Sequence, residues 1–157
     1  MGLMDKLKSM KNAITGGGAT VRLEVGSAVR EAPFPVRVMA TIADADLKIE
    51  KVYVNVEGIE TTEMEVEVET KDEKQAIKKN LEKKINEAST YHQEIVLAGA
   101  QTLAAKQEYA WEGTIQLPAS ALVTYNGVNA RHEWRLIAAL SVTGNDPDSG
   151  WVTIDVK

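Results

Sequence analysis

Residues 107–142 carry the clearest pattern in the chain, two stretches in which apolar and polar positions alternate with a strict period of two. In the first, Tyr109, Trp111, Ile115 and Leu117 share one parity, and Glu108, Glu112, Thr114 and Gln116 share the other. In the second, Trp134, Leu136, Leu140 and Val142 alternate with Arg131, Glu133, Arg135 and Ser141. Such alternation over about ten residues predicts half-buried antiparallel strands. Two tryptophans turned to one interior predict the core of a β-sandwich. Pro118 and the Asn126-Gly127 turn predict an irregular connection between the two strands.

The same period recurs elsewhere. Ala19–Val25 places Val21, Leu23 and Val25 inward. Pro33 and Pro35 bracket Phe34 and predict an extended entry to a strand built on Val36, Val38, Ala40 and Ile42. Residues 47–56 change parity, from Leu47 and Ile49 to Val52, Val54 and Val56, which predicts a bulge or turn near Glu50-Lys51. Tyr91–Ala98 sets Tyr91, Ile95 and Leu97 against His92, Glu94 and Val96. After a turn-forming Gly144–Gly150 segment, Trp151–Val156 closes the sheet with Val152, Ile154 and Val156 inward.

Two stretches read as helices. Leu3, Leu7, Met10 and Ile14 recur at helical spacing with Met4 beside them, and Lys6, Lys8 and Lys11 occupy much of the rest, predicting an amphipathic helix over residues 1–14. A helix this short is marginal alone, so its apolar face predicts a surface to cover: its own sandwich, a second copy, another protein or a membrane interface. Residues 15–18 form a glycine-rich linker. Further on, Ile77, Leu81, Ile85 and Ala88 recur every three or four positions, and Thr70 with Glu73 fits a capping box. That spacing predicts an inserted helix at about 71–88, whose exposed face carries Lys74, Lys78, Lys79, Lys83 and Lys84.

This second helix follows an acidic strand, Thr61–Thr70, with Glu63, Glu65, Glu67 and Glu69 on one face and Met64, Val66 and Val68 on the other. The glutamate comb reads as a solvated face that discourages edge-to-edge aggregation. Cation binding by the comb stays open as an alternative, although a linear comb does not converge the six or more oxygens of a calcium site. Docking of the lysine-rich helix near the comb accounts for both charge runs.

A strand ending in Leu117-Pro118, an Ala119-Ser120 step, the Asn126-Gly127 turn and a strand of the form W-x-L-x-A-x-L from Trp134 together resemble the arrestin fold family. Upstream, Tyr91–Leu97, Leu103 and Gln107–Tyr109 resemble the preceding strand pair of those domains. In style the chain is similar to bacterial and archaeal arrestin-like proteins of the sporulation-control type, over residues 19–157. The resemblance implies one immunoglobulin-like antiparallel β-sandwich of arrestin type, seven to nine strands, with two accessory helices. Arrestin relatives usually carry two sandwiches framing a concave surface, and this chain has residues for one. Their phosphate-sensing residues have no matching motif here.

Composition narrows the function classes. The absence of cysteine excludes disulfides, thiol catalysis and cysteine-ligated zinc. A net charge of −5 and the lack of a basic stripe with interleaved aromatics argue against a nucleic-acid partner. The longest apolar run falls well short of the ~18–20 residues of a membrane span, and no apolar leader follows the first lysines, so a cytoplasmic location is expected. His92 and His132, the only histidines, could meet a metal with Glu94 or Glu133, but a third fixed ligand is lacking. Ser120 sits in Pro-Ala-Ser-Ala, outside a nucleophile elbow.

The expectation is therefore a chain that is not an enzyme and needs no cofactor. It acts as an adaptor or scaffold that binds a protein partner or its own copy. One alternative is a peripheral membrane-surface protein using Leu3, Met4, Leu7 and Met10 with Lys6, Lys8 and Lys11. Another is a ligand- or cation-binding sandwich.

Overall fold

A computed structural model describes residues 17–157. The amphipathic segment over 1–14, with Leu3, Met4, Lys6, Leu7, Lys8, Met10 and Lys11, lies outside the described residues, as do the first two residues of the linker. The strands are β1 (Ala19–Val25), β2 (Phe34–Ile42), β3 (Leu47–Ile49), β4 (Lys51–Lys71), β5 (Ile77–Ala98), β6 (Gln101–Leu103), β7 (Glu108–Ile115), β8 (Tyr125–Asn126), β9 (Ala130–Ser141) and β10 (Val152–Ile154). The described residues thus hold ten strands, four of them only two or three residues long, and no helix.

One antiparallel sheet runs β1-β2-β7, and a second runs β10-β9-β4-β5 with β8 paired to β9. The short strands β3 and β6 pair with each other. The predicted alternation is realised where the two main sheets face one another. Val21, Phe34, Val36, Val38, Ala40 and Ile42 from the first meet Val52, Val54, Val56, Trp134, Leu136 and Leu140 from the second, all buried in one core. Trp134 is wholly buried and Trp111 only half so. The parity change near Glu50 is a true break. Strand β3 ends at Ile49 and β4 begins at Lys51, and between them the Glu50 amide donates to the Ser141 carbonyl at 2.8 Å.

The helix expected at about 71–88 is absent, and those residues form the turn and the first half of β5. The reason lies in the spacing. Ile77, Leu81 and Ile85 are four apart, a multiple of two, so a strand also puts them on one face. Thr61–Thr70, rich in valine and threonine, supplies a pairing partner that an isolated helix lacks. Thr70 and Glu73 make no capping box. Instead Asp72 closes the turn, its carboxylate accepting from the amides of Lys74 and Ala76, both at 2.9 Å. Gln75 takes the left-handed conformation, with φ of 59°, that the turn needs.

The register of β4 explains what this long hairpin does. Its pairing with β9 is unbroken from Lys51↔Ser141 to Thr62↔Ala130. Beyond Thr62, β4 pairs only with β5, in register from Glu63↔Ile85 to Lys71↔Ile77. Residues 63–85 therefore project past the sandwich as a two-stranded arm. The hairpin skips Leu97 and Thr90 on the β5 side, each at a bulge.

Candidate interaction surface

Strand alternation carries the two faces of the sandwich out along the arm. Even-numbered residues of β4 point to the core: Val52, Val54 and Val56 are buried, and Met64, Val66 and Val68 continue their row past the end of the sandwich. Odd-numbered residues continue the solvent face, where Glu57 lies directly opposite Arg135. The comb of Glu63, Glu65, Glu67 and Glu69 is on that outer face, opposite Ile85, Lys83, Leu81 and Lys79. Charge pairing of the comb with the lysine run is thus achieved across one ribbon. Lys83 Nζ is 2.9 Å from the Glu63 carboxylate and Lys79 Nζ is 3.8 Å from that of Glu67. Arg131 also reaches Glu63 at 3.5 Å. These cations, Lys83 foremost, hold the Glu63 carboxyl below its usual pKa.

Apolar side chains stay uncovered on both faces of the arm. Leu81 is 71% exposed and Ile77 59%, while Met64 and Ile85 are each 54% exposed. Sequence reasoning places Ile77, Leu81 and Ile85 on the apolar stripe of a helix and so misses the ribbon that exposes them. The signal available is the even spacing that a strand shares with a helix.

At the root of the arm sits a polar pocket centred on His132, which is fully buried. The bulge at Thr90 turns its hydroxyl to within 2.6 Å of His132 Nε2. Tyr125 stacks on the imidazole at 6.0 Å between centroids and donates its hydroxyl to the Glu60 carboxylate at 2.7 Å. Trp134 meets the ring edge-on at 5.4 Å. Gly58 is required here by close approach, since a Cβ would stand 2.8 Å from Thr90 Oγ1 and 3.2 Å from the imidazole. Burial pushes the His132 pKa down, and the Val123 backbone and the Glu60 charge oppose this in part.

A histidine held neutral in the fold destabilises it once the unfolded chain takes up the proton. Stability is full above the ordinary histidine pKa of about 6.5 and falls as pH drops from there toward the lowered native value. In urea unfolding at pH 7.5, 6.5 and 5.5, the wild-type chain should lose stability stepwise. His132→Gln, which keeps a polar group toward Thr90, should show a flatter profile. Equal slopes for the two chains would exclude His132 as the cause.

His92 is not brought to His132. It pairs opposite Glu57 on the solvent face, whereas His132 lies in the core. No group of three or more His, Cys, Asp or Glu side chains suited to a metal occurs among the described residues. The aspartates of the Gly144–Gly150 segment shape their own turn: Asp146 accepts from the Val142 amide and the Tyr53 hydroxyl, and Asp148 from the Gly150 amide. No helix among the described residues is long and apolar enough to cross a membrane.

The fold defines the chain as an all-β protein with an antiparallel sandwich of arrestin type. Among solved structures it is similar to Spo0M, a sporulation control protein from Bacillus subtilis, with a TM-score of 0.60 and 15% sequence identity. The similarity covers 90% of this chain and 50% of Spo0M, so the chain spans half of that protein's length. No family model and no curated protein sequence matches the chain.

Proposed function

We propose that this protein is a non-catalytic interaction module, an adaptor or scaffold of the cytoplasm, and that it engages its partner through the arm formed by residues 63–85. The observation that carries this reading is the exposure of Met64, Ile77, Leu81 and Ile85 on a ribbon that projects beyond the sandwich. Clustered apolar exposure of this kind marks interaction sites, and a two-stranded ribbon is marginal in water without a covering surface. The shared fold with a sporulation control protein supports a regulatory role and a place among arrestin-like proteins of that type. Fold likeness is a weak warrant for function, so the arm carries the greater weight.

The test is site-specific photo-crosslinking in the cell. A photoreactive residue at Leu81 should give an adduct of defined mass with one protein, and the same residue at Lys48, on the short strand β3, should not. The reading fails if the two positions give the same adducts or if Leu81 gives none.

A further inference from the structure

Among the described residues, no strand follows β9 in the lane beside β4 beyond Ala130, and that part of the lane is built to accept another strand. The Glu63 amide, which donates to the Asn129 carbonyl at 2.8 Å, is the last β4 amide used on that side among the described residues. Backbone groups of alternate residues point to the same edge, so the N–H and C=O groups of Glu65, Glu67 and Glu69 face the vacant lane. A surface hollow lined by Glu63, Met64, Glu65, Lys83, Val128 and Asn129 lies where β9 stops. Val128, 94% exposed, stands at its mouth.

We infer that this lane binds an extended segment of a protein partner in which basic and apolar residues alternate, added as a strand along β4 from Glu65 to Lys71. The inference rests on the reading of the arm as an interaction surface and names the partner's chemistry. β9 itself shows the complementarity where it fills the same lane. Arg135 sits directly opposite Glu57 with nitrogen–oxygen distances of 2.9 and 3.1 Å, and Arg131 reaches Glu63. Farther out, Glu65 and Glu69 make no ion pair among the described residues, and Glu67 has only Lys79 at 3.8 Å. A guest strand with lysine or arginine on the outer face repeats the β9 pattern. Its alternate residues then fall beside Met64, Val66 and Val68, which argues for apolar side chains there.

The charge also sets what is refused. Two β4 edges brought together would oppose glutamate to glutamate, so the comb bars self-pairing at this edge while leaving it open to a cationic strand. Main-chain hydrogen bonds would supply affinity and the alternating side chains specificity.

The experiment uses fluorescence anisotropy with the full chain and short synthetic peptides. A peptide alternating lysine with valine should bind in a salt-sensitive manner. A peptide of the same composition in two blocks, one alternating glutamate with valine, and one with proline at every second position should each bind about tenfold more weakly or not at all. The variant Glu65→Gln, Glu67→Gln, Glu69→Gln keeps side-chain size and adds no repulsion with Lys79 or Lys83. It should weaken the alternating peptide about tenfold and flatten the salt dependence.

Equal affinity for alternating and block peptides overturns the inference, as does binding that the triple variant leaves unchanged. Self-association that the triple variant abolishes but the peptide does not displace would put a second copy in the lane and also overturn it. If the peptides fail while the Leu81 adduct forms, strand addition is wrong and the interaction module stands. If both fail, both readings fall.

Discussion

Trp134→Ala should lower the unfolding free energy by about 3–5 kcal/mol, the range for removing a fully buried tryptophan. Its indole is wholly buried, its Nε1 donates to the Leu122 carbonyl at 2.7 Å, and its ring meets Tyr91 and His132, each at 5.4 Å between centroids. The substitution opens a cavity, strands a carbonyl and loosens the polar pocket at the root of the arm. Against a typical total of about 5–15 kcal/mol, the loss leaves a chain close to its folding limit. Trp134→Phe keeps most of the volume and should cost less, chiefly through the unpaired Leu122 carbonyl. Urea denaturation followed by circular dichroism decides the matter. An alanine variant within about 1 kcal/mol of wild type would mean that Trp134 is not the centre of this core.

Removing the arm should have the opposite profile, with little effect on stability and a large one on association. No residue from 63 to 85 belongs to the buried core. Thr62 and Asn86 face each other across the hairpin, so an Asn-Gly pair can join them in a two-residue turn. The shortened chain should unfold within about 1 kcal/mol of the full one, since the lower entropy cost of a shorter connection offsets the little packing that the arm provides. It should no longer co-elute with the protein captured through Leu81. A large drop in stability would assign the arm to the fold. Retained co-elution would move the interaction surface elsewhere.

The arm also shows where reading the sequence succeeds and fails. Alternation in Ala19–Val25, Phe34–Ile42 and Trp134–Leu140 is decisive because each strand turns one face to the core and buries it more deeply than the other, a local consequence of period two. The break near Glu50 is visible for the same reason, as a change of parity. Residues 77–85 expose nearly everything, so no buried face imposes a period on them. Their four-residue spacing satisfies helix and strand alike, and the capping-box letters at Thr70 and Glu73 tip the reading toward helix. The glutamate comb and the lysine run are both legible, and so is their attraction. The geometry of that attraction, across one ribbon and not between a strand and a docked helix, is not.

Local pattern therefore suffices for the strands that bury one face, for most of their inward residues and for a β-sandwich, because burial of one face writes its period into neighbouring letters. It also suffices to set a negative comb beside a positive run. Tertiary structure alone decides the register of three strands around Gly58, where the bulge at Thr90 and the turn into β8 enclose His132. It alone decides that β4 and β5 outrun β9, leaving an arm whose β4 edge carries no further strand among the described residues. Those features depend on where strands far apart in the chain begin and end beside each other, and no local period records that.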